Sequence, residues 1–283
     1  MDALVLAAGV NNGRLRSCHG VSMEALIPIG RRPMVDYVVQ ALRHCRAIDR
    51  IVIVGPEALS SYYSGDKRVS VVAGGEDPID SLQRGLRALA LLVDSQQTAE
   101  YGGPSQQAPP VEKAAGAQSP AAADRLLIVT GDLPLLTAQT VEAFLDACRP
   151  IEGDVFYPVV RREDCQRRYP GVRRTYVRLR EGWVTGGNLF LVRPAVIPGA
   201  VARARQFVRL RKSPLALSRL LGGSFVIRFL LRQLTIAQVE ARVSELFRLR
   251  GHCVLSTSPE LAIDVDKPSD LELVRRCLTG LPG

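Results

Sequence analysis

Lysine is scarce in this chain: only Lys67, Lys113, Lys212 and Lys267 stand among its 37 basic residues, an arginine bias that genome composition produces as readily as function does. Acidic residues are missing altogether between Gly182 and Val239, where nine arginines and lysines stand, so that one segment supplies the whole net charge of +9. The remainder is neutral, which is not the distributed basic surface that nucleic acid rewards, and nucleic acid is not an expected partner. The three histidines, His19, His44 and His252, form no recognisable triad, and neither a Gly-x-x-x-x-Gly-Lys loop nor a His-Glu-x-x-His pair occurs. P-loop chemistry and serine or zinc hydrolysis are therefore disfavoured. The six cysteines, at 18, 45, 148, 165, 253 and 277, show no paired spacing of the zinc or redox kind, and the N-terminus carries no signal-peptide pattern. A reduced, cytoplasmic setting is the expectation.

What is present begins with the first strand. Leu4, Val5 and Leu6 form a short apolar run ending in Ala7-Ala8-Gly9, the pattern of a buried parallel strand that opens into a ligand loop. Small residues at Ala7, Ala8, Gly9 and Gly13 let backbone N–H groups approach a phosphate or a base, while Arg14 and Arg16 can neutralise charge that the backbone only solvates. Taken alone, the segment is equally the glycine turn of any doubly wound domain.

With 283 residues, 47% of them hydrophobic, the chain can bury one large core, and a single domain with an insertion is expected. Pro33 starts a helix whose apolar face is Met34, Val35, Val38, Val39, Leu42 and Cys45. Ile51 to Val54 and Val69 to Ala73 read as parallel strands, and Asp77 to Leu92 as a helix for which Asp80 or Ser81 is the cap. Residues 94–124, rich in Gln, Ala, Pro, Gly and Ser, are expected to form a disordered surface loop. Leu126 to Val129 returns to strand, Thr137 caps a helix through Cys148, and Asp154 to Val160 is a further strand. Eight arginines fall between Arg161 and Arg180, with a strand expected over Arg173 to Leu179; the cluster suits an anionic acceptor or a solvated edge hairpin. Residues 194–250 read as a basic, mostly helical insertion, with Ile236, Val239, Val243, Leu246 and Phe247 on one face.

Three stretches occur in a telling order: Leu6-Ala7-Ala8-Gly9, then Glu24-Ala25-Leu26-Ile27-Pro28-Ile29-Gly30-Arg31-Arg32-Pro33-Met34-Val35, then Thr130-Gly131-Asp132-Leu133-Pro134. Together they resemble the nucleotidyltransferase superfamily of the MobA-like NTP transferase domain, which includes molybdopterin guanylyltransferase-like, sugar-phosphate and methylerythritol-phosphate enzymes. The resemblance runs from Asp2 to about Asp132 and again from Thr185 to Leu273. It implies an α/β fold of GT-A type, a three-layer, doubly wound, mixed and mostly parallel sheet, and transfer of a nucleotide monophosphate from an NTP to a phosphate-bearing acceptor with release of pyrophosphate. Nucleotide contacts are then expected from Leu6, Ala7, Ala8, Gly9, Gly13, Gly75, Ser81 and Gly131. The strand Thr185 to Phe190 would lie beside the acceptor, with contacts from Gly187 and Asn188.

Asp132, at a strand end, is the first choice for holding Mg²⁺, because a hard divalent ion takes oxygen ligands. Ile263-Asp264-Val265-Asp266-Lys267-Pro268-Ser269-Asp270 resembles the segment that closes many of these enzymes. On a strand Asp264 and Asp266 would share a face and complete the metal site with Asp132, although Asp266 is equally placed to cap the next helix. Two departures from the superfamily stand out. Val10-Asn11-Asn12 intervene before Gly13, so either Arg14 or Arg16 is the catalytic phosphate ligand. Glu24 replaces the usual lysine and reverses the local charge, so an active enzyme should pair it with Arg14, Arg16, Arg31 or Arg32. That reversal also motivates a second reading, a catalytically silent nucleotide-binding module, beside a third, a GT-A sugar transferase using a nucleotide-sugar donor.

From Arg203 to Arg232 arginines are interleaved with more apolar residues than a solvated helix needs. The uncharged runs there are far shorter than the roughly 20 residues of a membrane span. The covers expected are the domain itself, a second subunit in a homodimer, or an anionic membrane surface that would present a lipid-linked acceptor.

Overall fold

The computed structural model describes residues 1–100, 125–210, 220 and 222–279. In chain order its strands are β1 (Asp2–Leu6), β2 (Pro28–Ile29), β3 (Arg32–Pro33), β4 (Arg50–Gly55), β5 (Val69–Ala73), β6 (Leu126–Thr130), β7 (Val155–Arg161), β8 (Val177–Leu179), β9 (Gly182–Gly186), β10 (Leu189–Val192) and β11 (Gly251–Ser256). Its helices are α1 (Met34–His44), α2 (Ala58–Tyr62), α3 (Pro78–Glu100), α4 (Ala138–Cys148), α5 (Arg162–Arg168), α6 (Ile197–Leu210), α7 (Gly223–Leu230), α8 (Ile236–Phe247) and α9 (Pro268–Thr279).

The large sheet has the order β5-β4-β1-β6-β10-β7-β9-β8, with β11 added on β7. Strands β5, β4, β1 and β6 are mutually parallel, β10 runs against both β6 and β7, and β11 runs with β7. From β1 the chain steps outward through β4 to β5, then returns to place β6 on the other side of β1. That reversal leaves a crevice at the carboxyl ends of β1 and β6, where open α/β sheets bind ligands.

Successive side chains of β1 part to opposite faces. Ala3 and Val5 join Val35, Val38 and Leu42 of α1 and Val141 and Phe144 of α4 in one core; Leu4 joins Leu82, Leu86 and Leu89 of α3 and Ile197 of α6 in another. The α/β sheet with helices on both faces is therefore the architecture expected. The expected strands over 51–54, 69–73 and 126–129 are β4, β5 and β6, and Thr137 caps α4 by accepting from the Thr140 N–H at 3.2 Å.

Other expectations need correction. Helix α3 continues to Glu100, so the first part of the segment expected as disordered loop is helical; residues 101–124 lie outside the described residues. The cap of α3 is Asp77, whose Oδ1 accepts from Ile79 and Asp80 N–H at 2.8 and 2.7 Å, not Asp80 or Ser81. Only Val177–Leu179 of the stretch Arg173 to Leu179 is strand, because Arg174 folds inward instead of joining an edge. Thr185 to Phe190 is not one strand: β9 and β10 are separated at Gly187-Asn188, whose N–H groups turn to Pro158 O at 2.8 Å and Leu261 O at 2.9 Å.

Helices α6, α7 and α8 occupy the basic segment. Thr235 opens α8 with a capping box to Gln238, and Phe225, Ile236 and Val239 pack against buried Val159, Val184 and Leu234. The end of α7 is not covered by described residues: Ile227 is 58% exposed, Leu230 71% and Leu231 60%. Among the described residues no helix is long and apolar enough to cross a membrane.

Candidate functional site

Three strand ends meet around Ala7 and Ala8. Ala7 N–H donates to Val54 O and Gly131 N–H to Leu6 O, both at 2.8 Å. A side chain at Gly131 would stand 3.0 Å from Ala7 Cβ, one at Gly55 3.1 Å from it, and one at Gly74 only 2.5 Å from Ala8 Cβ. The small residues here are thus demanded first by the crossing of loops, and Gly9 is the first fully exposed residue of the run. Leu6 is half-buried beneath it.

The additional residues Val10-Asn11-Asn12 are drawn into a compact loop. Asn11 is wholly buried, its Nδ2 donating to His19 O at 2.8 Å and Val21 O at 2.9 Å, while Val10 bridges to Met23. Gly13 and the 3₁₀ turn Arg14–Ser17 follow, pinned by fully buried Leu15. That turn leaves Arg14 and Arg16 exposed, and neither forms an ion pair among the described residues.

Asp132, Asp264 and Asp266 come together: one carboxylate oxygen from each lies within 4.8 Å of the others. Asp132 follows β6 directly, and its backbone O accepts from Val265 N–H at 3.0 Å, which stitches the closing segment to the strand end. Residues 263–266 are not a strand, contrary to expectation, yet both carboxylates still converge. Nor does Asp266 act as a cap; instead Asp270 Oδ2 accepts the Asp266 N–H at 3.2 Å. Burial, then the neighbouring Asp264 and, less strongly, Asp266 raise the Asp132 carboxyl to about 7, although Thr130 Oγ1 donates to it. Asp266 is raised as well, by desolvation in the cleft and then by Asp264.

Glu24 joins this acidic side of the crevice. Its Oε2 sits 3.1 Å from where a Gly9 side chain would begin, and its carboxyl is raised by burial and by Asp266. The expected ion pair with Arg14, Arg16, Arg31 or Arg32 does not form: Arg32 pairs with Asp36 at 3.7 Å, and Glu24 has no ion pair among the described residues.

Gly75 and Ser81 face each other across the start of α3. Ser81 is buried, and its Oγ accepts the Gly75 N–H at 3.0 Å, so its hydroxyl holds the glycine loop beside Ala8. On the far side of the crevice, Gly187 is buried with no room for a side chain, which would lie 2.7 Å from Pro158 and 2.8 Å from Leu261 O. Asn188 O accepts from Thr130 N–H at 3.1 Å, and its Nδ2 is enclosed without a partner.

Sequence reasoning missed two residues. Arg174 enters from the loop before β8 and forms an ion pair with Asp264, both side chains being only 12% exposed. Nothing in an arginine-rich stretch marks one arginine as the inward one. Asn11 was legible only as an insertion, since its bonds depend on where residues 19–21 return.

The sequence profile of the MobA-like NTP transferase domain matches residues 3–214. The chain belongs to this family. A hypothetical transferase from Thermus thermophilus is similar at a TM-score of 0.67 and 32% identity, over 95% of this chain and 99% of that one. A 4-diphosphocytidyl-2C-methyl-D-erythritol synthase shares the fold at a TM-score of 0.53 and 14% identity, over 98% and 97% of the two chains. Over 91 residues the chain is 37% identical to a 2-C-methyl-D-erythritol 4-phosphate cytidylyltransferase of Frankia casuarinae; the match spans 31% of this chain and about a third, 32%, of that curated relative. The crevice just described, bounded by Ala7–Gly9, Gly75 and the three aspartates, lies at the carboxyl ends of the strands, where open α/β sheets bind ligands.

Proposed function

We propose that this chain is a divalent-metal-dependent nucleotidyltransferase that moves a nucleotide monophosphate from an NTP to a phosphate-bearing acceptor. The observation that carries the reading is the convergence of Asp132, Asp264 and Asp266 beside the exposed Gly9 loop. Three carboxylates and no nitrogen or sulfur ligand suit Mg²⁺, which when bound neutralises phosphate charge and polarises the α-phosphorus. Asp132, kept partly protonated near neutrality by burial and then by its acidic neighbours, would lose that proton to become a ligand. The Gly9 and Gly13 amides would approach the nucleotide, Gly75 would border it in the loop that Ser81 holds, and exposed Arg14 or Arg16 would offset charge on the departing pyrophosphate. On the opposite side, buried Gly187 would shape the backbone turn and the half-buried Asn188 would border the acceptor.

The similarity to a cytidylyltransferase makes CTP the first nucleotide to test. Pyrophosphate release, measured for each NTP with Mg²⁺ and a panel of phosphorylated acceptors including lipid-linked ones, is expected for a transferase. Its absence across the panel, with nucleotide binding retained in a thermal-shift assay, would leave the silent-module reading. That reading has one observation in its favour, the unpaired Glu24 where the superfamily usually has lysine.

A further inference from the structure

We propose that Arg174 is a resident counterion of the acidic site, seated on Asp264 in the metal-free protein and displaced when a divalent cation binds. The inference rests on the metal-dependent reading of the site. Asp264 is the most buried of the three converging carboxylates at 8% exposure, and the Arg174 guanidinium is the group that meets it. Nη1 touches the carboxylate and lies 3.4 Å from the Asp264 backbone O. Yet Arg174 Nε is enclosed and has no partner, so the side-on fork that pairs Nε and an Nη with a carboxylate is not engaged. An unspent donor in an enclosed site disfavours this seat and leaves the guanidinium replaceable.

The loop that delivers Arg174 is held independently of that ion pair. Tyr169 Oη donates to Glu260 Oε1 at 2.7 Å, and Lys267 Nζ donates to Arg173 O at 2.9 Å. Loss of the Arg174–Asp264 contact therefore need not unseat the loop, and the side chain can withdraw by its own torsions. A cation that takes an oxygen of Asp264 must share a carboxylate with the guanidinium, and like charges at that separation repel strongly in an enclosed site. Metal loading then frees a guanidinium beside the acidic site.

Competition makes a prediction opposite in sign to that of a structural arginine. Isothermal titration of Mn²⁺ alone into the wild-type protein and Arg174→Gln should show the variant binding at least about tenfold tighter, while Arg174→Lys, which keeps the charge, stays within about threefold of wild type. Equal or weaker binding by Arg174→Gln, with wild type binding normally, overturns the proposal and leaves the metal site standing. Absence of Mn²⁺ binding by wild type overturns both. The wild-type protein supplies a readout independent of folding of the variants: phenylglyoxal modification of the peptide containing Arg174, followed by mass spectrometry, should rise severalfold on adding Mn²⁺. An unchanged or reduced yield is the contrary result.

Discussion

Three structural constraints meet on Asp132: the end of β6, the hydroxyl of Thr130 and the approach of two further aspartates. Asp132→Asn keeps the shape and removes the charge, so it should leave the fold intact and reduce metal-dependent pyrophosphate release by about 100-fold or more, the several kcal/mol that a Lewis-acid contact supplies. An unchanged rate would remove Asp132 from the mechanism. Glu24 poses the converse case. Its carboxyl is destabilised by burial and by Asp266, and it would face incoming phosphate without a compensating cation of its own. Glu24→Lys should therefore tighten NTP binding in titration calorimetry; weaker binding would show that the carboxylate serves the nucleotide, directly or through a metal.

Among elements, the parallel strands were readable because each is a short apolar run closed by small residues, and every one of them packs on both faces. The interruption between β9 and β10 was not readable, since what breaks the strand is not the sequence of Gly187-Asn188 but the carbonyls of Pro158 and Leu261 that draw off its N–H groups. Gly187→Ala should be destabilising by about 1–3 kcal/mol in denaturant unfolding, as overpacking against a fixed backbone usually is. Helix α7 shows the reverse situation, an element found as expected but left with Ile227, Leu230 and Leu231 in the open beside Arg228 and Arg232. If the acceptor is amphiphilic, as the arginine-flanked apolar surface suggests, the protein should float with anionic liposomes at low salt and the double variant Leu230→Glu, Leu231→Glu should not. Wild-type protein remaining at the bottom of the gradient would refute the interfacial role.

For the whole molecule, the acidic crevice links stability to pH. The Asp132 carboxyl rises from its ordinary 3.8 to about 7 on folding, so between those values the unfolded chain has given up a proton that the native protein retains. Stability from this group is therefore fully present below about 4 and lost as pH rises towards 7. The difference in melting temperature between metal-free wild type and Asp132→Asn should shift against the wild type across that window and level off above it. Saturating Mg²⁺ should offset the loss at pH 7, because an ion bound only by the native state raises apparent stability. A pH-independent difference would mean that burial and the neighbouring aspartates do not raise the Asp132 carboxyl on folding.

The order of apolar runs, the glycine turns and the three motifs by themselves determined the sheet, its layers and the family, because those features are local or repeat with the period of a strand or helix. The third motif also named Asp132, and the closing segment named Asp264 and Asp266, which the structure brings together with it. Only the tertiary structure decided that Arg174 turns inward to Asp264, that Glu24 stands by Asp266 with no guanidinium, and that Asn11 ties the extended loop to residues 19–21. Each of these joins residues distant along the chain or related by no periodic spacing, and only packing decides whether a buried charge or amide meets a complementary group, as Arg174 and Asn11 do, or a like charge, as Glu24 does.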